Sequence, residues 1–318
     1  MATVLIVGND DGSYEIEKET FKKLGVDYNI SPYTNEEIVL KAYNSTIIMF
    51  SATKFDEKLL SSLPNLKLLC RYGIGIDNVD LNAATKLGIY VCNCPGYGAY
   101  DVAEHAVALI LSSNHSVARF DRNVRNGNWS LNGIPPAKRI KSLTLGFIGF
   151  GRIARWICKM MVPFEMRILV FDPFVSDKVI QESGGLPSSF VQVISDSDYL
   201  SVNAPLTSQT KHIINKDALQ KMKSSCVIIN TGRGALINEE DLIEALEKGL
   251  IAGAALDVFE NEPLTKDSKL LAMENVTLTP HVAWYSQEAI RDLHREAVFN
   301  VTQFLEGGPV QNALNTDR

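Results

Sequence analysis

A chain of 318 residues exceeds one typical domain and fits two, each long enough to bury its own core. The net charge of −6, with no cluster of Lys and Arg, argues against nucleic acid as a partner, since phosphate binding needs a basic face. No apolar run approaches the roughly 18 residues of a membrane span, and the opening MATVLIVGND lacks a basic leader and reads as a first strand, so a cytoplasmic protein with no membrane role is expected.

Over residues 3–93 short apolar segments at 4–7, 26–30, 47–50, 66–71 and 89–92 alternate with helical patterns. That alternation predicts a small parallel α/β domain. Gly73, Ile74 and Gly75 follow the fourth strand, at the carboxyl end where open sheets bind ligands. Their backbone N–H groups suit a carboxylate; the plain alternative is that the glycines only turn the chain. Residues 101–125 read as one long helix that bridges two domains and ends at Asn126 and Gly127, and 131–141 as a loop.

The stretch 146–172, GFIGFGRIARWICKMMVPFEMRILVFD, then reads as strand, glycine turn, helix and strand. It fits the dinucleotide fingerprint in its G-x-G-x-x-A form. Gly149 makes the turn, Gly151 lets backbone N–H groups approach a pyrophosphate at the helix N-terminus, and Ala154 permits close helix-to-strand packing. Asp172, about 20 residues on, is placed to accept hydrogen bonds from an adenosine ribose. With no Arg after it, only Pro173, Phe174 and Val175, it favours NAD over NADP, because a carboxylate repels a 2′-phosphate.

Further strands at 199–203, 227–230, 254–258 and 276–278 complete a doubly wound domain, and a last helix at 286–305 returns to the first domain. The expected fold is therefore α/β, with two doubly wound parallel sheets. A Rossmann NAD-binding domain spans 101–285, and a smaller flavodoxin-like substrate domain spans 1–100 plus 286–318. The five cysteines, Cys70, Cys92, Cys94, Cys158 and Cys226, mostly lie in apolar patterns and read as buried thiols of a reducing compartment. Cys92 and Cys94 have no second pair or nearby histidines at zinc spacing, so no metal is expected.

Polar residues cluster at the ends of the later strands: Pro205 and Thr207; Thr231, Gly232 and Arg233; Asp257; Pro280 and His281. Reaction beside a nicotinamide needs a proton donor or acceptor, a cation for an anionic substrate, and a group that tunes the first. Arg233 has a fork suited to a carboxylate and an adjacent carbonyl. His281 is the acid/base candidate, and Glu262 is its expected partner, orienting the imidazole and raising its pKa. Taken singly, each has a plain alternative: a solvated arginine, a structural histidine, a turn beside Pro263. His105, His115, His212 and His294 receive no chemical role.

RYGIGIDNVD at 71–80, GFGRIA at 149–154, NTGRGAL at 230–236, AALDVFENEP at 254–263 and TPHVAWYS at 279–286 together resemble the D-isomer-specific 2-hydroxyacid dehydrogenases. The resemblance covers nearly the whole chain, in that family's order and spacing. It implies an NAD-dependent enzyme that interconverts a small D-2-hydroxy acid and its 2-oxo acid by hydride transfer. Arg233 would bind and polarise the 2-oxo acid, with His281 as acid/base and Glu262 as its partner. Gly149, Gly151, Arg152, Ile153, Asp172, Pro205, Thr231, Gly232, Asp257 and Ala283 would contact the cofactor, Asp257 near the carboxamide. Phe50, Arg71, Gly73, Ile74, Gly75 and Trp284 would contact the substrate, its carboxylate on the 73–75 backbone. A homodimer through the 101–125 helix is implied as well.

Within the family, ATKFD and RYGIGIDNVD resemble phosphoglycerate dehydrogenases, and HVAWYS resembles the C-terminal binding proteins, dehydrogenase-like corepressors. Two alternatives therefore stay open: a D-3-phosphoglycerate dehydrogenase, or an NAD(H)-sensing binding protein without catalysis. Ala99 stands where many members have a cofactor-facing Thr, and Phe50 where phosphoglycerate dehydrogenases usually have Arg. The C-terminal regulatory domain that some of the latter carry is expected to be absent. With Phe50, Tyr72, Ile74 and Trp284 as tail-facing positions, the expected substrate is an uncharged, moderately apolar 2-oxo acid.

Overall fold

The computed structural model describes residues 3–8 and 14–315. The chain divides into two compact units, Met1–Gly98 with Ser286–Arg318, and Ala99–Tyr285. No helix among the described residues is long and apolar enough to cross a membrane.

The first unit alternates β1 (Thr3–Val7), α1 (Glu15–Leu24), β2 (Asp27–Ser31), α2 (Asn35–Lys41), β3 (Ile47–Phe50), α3 (Glu57–Ser61), β4 (Leu68–Arg71), α4 (Leu81–Lys86) and β5 (Tyr90–Cys92). Its five strands lie in the order β2-β1-β3-β4-β5, all parallel, which is the flavodoxin-like winding. β3 is buried at every residue because helices cover both faces of the sheet, and so it reads as a continuous apolar run. Side-chain caps start the helices: Thr34 forms a capping box with Glu37, while Asp56 and Asp80 accept from Leu59 and Ala83 N–H.

The second unit begins with α5 (Ala99–Asn114) and α6 (Val117–Arg125). It continues through β6 (Thr144–Ile148), α7 (Arg152–Met161), β7 (Arg167–Phe171), α8 (Asp177–Glu182), β8 (Leu186–Pro187), α9 (Phe190–Asp196) and β9 (Tyr199–Val202). It ends with α10 (Lys216–Leu219), β10 (Val227–Asn230), α11 (Glu239–Glu247), β11 (Gly253–Leu256) and β12 (Val276–Leu278). The seven strands run in parallel in the order β12-β11-β10-β9-β6-β7-β8. From β6 the chain winds outward through β7 and β8, then returns to β9 on the other side of β6. That reversal between β6 and β9 is the switch point at which doubly wound sheets open a crevice beyond the strand ends.

The chain then rejoins the first unit as α12 (Gln287–Leu305), capped by Ser286 and packed on α1 and β4. The long helix expected over 101–125 is two helices instead. Ser116 sits at φ 51°, in the left-handed region, and separates α5 from α6. At the break the amide of Ser116 turns back to the carbonyl of Ser113 at 3.2 Å, and buried Asn114, the last residue of α5, donates its Nδ2 to the Lys138 carbonyl at 3.2 Å and accepts from the Tyr199 hydroxyl at 3.3 Å.

Candidate active site

In the second unit the crevice is built first from the β6–α7 turn. Gly149 adopts φ 86°, and a Cβ there would lie 2.6 Å from the backbone nitrogen of Ala204, so only glycine lets the turn pass under the chain leaving β9. α7 starts at Arg152 with Gly151 as its N-cap, and no side chain caps it. Its first-turn N–H groups are therefore the donors an anion would use. Beneath them Ala154 is wholly buried, Ile153 is half-buried and Arg152 is exposed.

Asp172, just beyond β7, accepts from the amide of Phe150 at 2.7 Å and from that of Phe174 at 2.8 Å. Its carboxylate is thus fixed against the glycine turn, at the edge where a ribose would lie beside the pyrophosphate.

At the ends of β10, β11 and β12 the polar groups hold one another. Gly234 follows Arg233, and a Cβ there would overlap the backbone of Phe259, so the Arg233 segment is pressed against the one that leads to Glu262. Asn230 tightens that turn: its Nδ2 donates to the Arg233 carbonyl at 2.9 Å, and its Oδ1 accepts from Gly232 N–H at 3.1 Å. One guanidinium nitrogen of Arg233 donates to the Gly232 carbonyl at 2.8 Å.

Nδ1 of His281 lies 2.7 Å from Oε2 of Glu262, whose Oε1 accepts from Phe259 N–H at 3.0 Å. Burial pushes the Glu262 carboxyl upward, but the His281 hydrogen bond, the Phe259 N–H and the charges of His281 and Arg233 together outweigh it and hold the group below its usual value. With Nδ1 facing Glu262, Nε2 is the ring nitrogen left for a reacting partner. His281 itself sits at φ 56°, its amide bonded to the Asp257 carbonyl at 2.8 Å, a strained conformation held by the backbone around it.

Asp257 is fully buried and well supplied with donors: Thr279 Oγ1 at 2.6 Å, Val282 N–H at 2.9 Å and Ala283 N–H at 2.9 Å. His105 reaches the same network from α5, its Nε2 lying 3.1 Å from Thr279 Oγ1. Neither His105 nor Thr279 stood out in the sequence. A histidine on a helix face carries no sign of the strand end it will meet, although the Thr279-to-His281 spacing placed a hydroxyl close by.

Thr231 and Ala283 are buried at this rim, Pro205 follows β9, and Trp284 is half-buried with its ring edge-on to Tyr285 at 5.6 Å. Among the described residues no three His, Cys, Asp or Glu side chains group as metal ligands, and the five cysteines are free and buried.

In the first unit the loop after β4 has its carbonyls tied down. Gly73 (φ 140°) accepts from Cys94 N–H at 3.0 Å, Ile74 from Asn93 Nδ2 at 2.7 Å, and Gly75 from the Arg71 guanidinium, which also donates to the Ser51 carbonyl at 3.2 Å. The N–H groups of Ile74 and Gly75 donate to no described residue. A turn with bound carbonyls and spare amides is the arrangement that holds an anion.

Two expectations fail here. Phe50 offers no surface to a substrate: it is wholly buried, its ring 4.6 Å from that of Phe55, in a core shared with Leu59 and Leu60. Tyr72 likewise turns inward, and its hydroxyl donates to the buried Glu17 at 2.8 Å. Arg71, considered as a substrate cation, works on backbone carbonyls.

Two parallel sheets, a glycine turn backed by a fixed carboxylate, and a paired acid/base beside an arginine define a two-domain dinucleotide-binding α/β protein. The profile of the NAD binding domain of the D-isomer specific 2-hydroxyacid dehydrogenases matches residues 107–283, and the chain belongs to that family. It is 38% identical over 257 residues to hydroxypyruvate reductase of Thermotoga maritima, covering 79% of this chain and 82% of that one. With glyoxylate reductase of Aeropyrum pernix it shares 35% identity, covering 91% and 88%.

D-3-phosphoglycerate dehydrogenase of Archaeoglobus fulgidus is 36% identical over 85% of this chain, but the match spans only 51% of that protein. The chain thus covers about half the length of the phosphoglycerate dehydrogenases it matches. Among solved structures, a glyoxylate reductase from Paecilomyes thermophila superposes with TM-score 0.90 at 28% identity, covering 100% of this chain and 99% of that one. D-lactate dehydrogenase from Aquifex aeolicus, complexed with NAD and lactic acid, gives 0.89 at 27% identity, covering 99% and 100%.

Proposed function

We propose that this chain is an NAD-dependent oxidoreductase that interconverts a small, uncharged D-2-hydroxy acid and its 2-oxo acid. The observation that carries the reading is the His281–Glu262 pair at 2.7 Å beside Arg233, on the rim of a nucleotide-binding sheet. When bound, the nicotinamide supplies or accepts the hydride at C2. Nε2 of His281 gives a proton to the oxo oxygen in reduction and removes it in oxidation, while Glu262 holds Nδ1 and offsets the imidazolium charge. Arg233 pairs with the substrate and polarises its carbonyl.

Asp172 selects NAD by accepting from ribose hydroxyls and repelling a 2′-phosphate. The open N-terminus of α7, with Gly149, Gly151, Arg152 and Ile153, takes the pyrophosphate. Pro205, Thr231, Gly232, Asp257 and Ala283 line the nicotinamide half. Ile74 and Gly75 N–H hold the substrate carboxylate, with Gly73 shaping their loop.

Substrate choice follows from what is left for the tail. With Phe50 and Tyr72 inside the core, Ile74 and Trp284 remain; Arg71 donates to the Ser51 and Gly75 carbonyls, which leaves Lys54 as the other nearby cation in sequence for a phosphate tail. Short uncharged tails fit best, which agrees with the names of the reductases this chain resembles. The enzyme works in the cytoplasm as a homodimer formed through the 101–125 region; exposed Val117 and Val124 within it support that self-association. The test is NADH oxidation over glyoxylate, hydroxypyruvate, pyruvate, branched 2-oxo acids and phosphohydroxypyruvate. Turnover should be highest on the short uncharged acids. Turnover highest on phosphohydroxypyruvate refutes the substrate class, and turnover on none refutes the enzyme.

A further inference from the structure

A polar cluster lies inside the first unit, where an apolar core would be expected. Glu17 of α1 is wholly buried. Its Oε1 accepts from Tyr72 Oη at 2.8 Å and lies 2.7 Å from Nδ1 of His294 on α12. Its Oε2 is buried and meets no hydrogen-bond partner among the described residues. Aromatic rings wall the carboxylate in: Tyr14 lies 5.4 Å from the His294 ring and 5.9 Å from that of Tyr72, and Tyr72 lies 5.2 Å from His294. Burial and the Glu17 charge push the Tyr72 phenol well up, so it stays a donor.

A half-satisfied buried carboxylate is a poor way to stabilise a core, since apolar residues of similar volume serve as well or better. What the cluster does supply is position. It joins three segments far apart in sequence at one oxygen atom. One of the three is Tyr72, whose peptide leads directly into Gly73. The carbonyls of Gly73, Ile74 and Gly75 are each bound from the loop's far side or from Arg71. The Tyr72 amide is held to the Phe50 carbonyl at 2.7 Å, and its hydroxyl gives the residue a second anchor, on Glu17.

We propose that Glu17, His294 and Tyr72 form a positioning cluster that sets the 73–75 loop so that Ile74 and Gly75 N–H meet the substrate carboxylate. The three residues touch neither substrate nor cofactor and act through the loop. This inference rests on the assignment of that loop to the carboxylate.

The test measures KM for glyoxylate, kcat and NADH affinity in the unmutated enzyme and in Tyr72→Phe, Glu17→Gln, His294→Ala, His294→Gln and Gly75→Pro. Tyr72→Phe keeps the ring and loses only the hydroxyl, so it remains informative should Glu17→Gln fold poorly. In Tyr72→Phe and Glu17→Gln KM should rise about tenfold, with kcat within about twofold and NADH affinity unchanged. His294→Gln, which keeps a donor, should restore most of the KM that His294→Ala loses. Gly75→Pro, which removes one of the proposed carboxylate donors, should raise KM more than any of these.

An unchanged KM in Tyr72→Phe and Glu17→Gln, with Gly75→Pro impaired, overturns the positioning role and leaves the loop assignment intact. An unchanged KM in Gly75→Pro overturns the loop assignment, and the positioning role with it. Lower melting temperature with unchanged KM reduces the cluster to a structural role.

Discussion

The rim of the second unit and the 73–75 loop of the first, the two halves of the proposed site, are built by different means. At the rim the chemistry resides in side chains that sit close together in sequence: Arg233 follows its strand within three residues, and Glu262 and His281 are 19 residues apart, joined at 2.7 Å. In the loop the proposed donors are backbone amides, and the side chains proposed to aim them, Tyr72, Glu17 and His294, are drawn together across as many as 277 positions. The lesson is that a motif carries a side-chain site with it, whereas a backbone site depends on core contacts that no local pattern reports.

The sharpest way to separate the two regions is to remove the acid. His281→Gln should lower kcat by roughly 100- to 10,000-fold while NADH affinity stays near that of the parent, because the imidazole acts on the reacting oxygen and not on the cofactor's grip. Stopped-flow turnover with parallel fluorescence binding checks it, and near-normal turnover removes His281 from the mechanism.

A smaller effect is expected at Asp172. Its carboxylate is anchored by Phe150 and Phe174 N–H and faces no cation in the residues that follow. Asp172→Ala should narrow the NADH-over-NADPH preference by about tenfold, mainly by weakening NADH. Comparable efficiency of the unmutated enzyme with both cofactors contradicts the assignment outright.

Much of this architecture is legible in the residues, for physical reasons that also mark where legibility stops. Strands covered on both faces are largely apolar, so β3, all apolar, and β6, β9 and β10, each with a single polar residue, stand out in the sequence, and the glycine turn announces itself because Gly149 has no room for a Cβ. β8, two residues at the sheet edge, is too short to show a period. The break at Ser116 comes with bonds from Asn114 to Lys138 and Tyr199, 24 and 85 positions away, and the helical pattern runs straight through it. Phe50 looked available because a phenylalanine at a strand end is equally consistent with core and with pocket; only the packing around it, Phe55 foremost, decides. Glu17, in the first turn of an amphipathic helix, reads as a solvated charge that favours the helix dipole, and nothing local shows that it is buried.

The smallest effect concerns pH. Glu262 is held below its ordinary value of 4.5, so the folded state binds a proton there less readily than the unfolded chain does. Its contribution to stability is present above about pH 4.5 and is lost as pH falls through the depressed value. Glu262→Gln should therefore flatten the acid limb of a thermal-stability profile: the variant should be modestly less stable than its parent above about pH 4.5 and converge with it as pH falls further, the effect being modest because 35% of the side chain is exposed. An identical acid limb in the variant and its parent counts against the pairing.

The central claim is hydride transfer to one face of a 2-oxo acid whose oxygen is protonated by His281. Its most direct test is reduction of pyruvate or hydroxypyruvate with NADH carrying deuterium at both hydrogens of nicotinamide C4, followed by chiral separation and mass analysis of the product. The expected product is the D-2-hydroxy acid carrying one deuterium at C2. An L product, or a D product without deuterium, contradicts the claim.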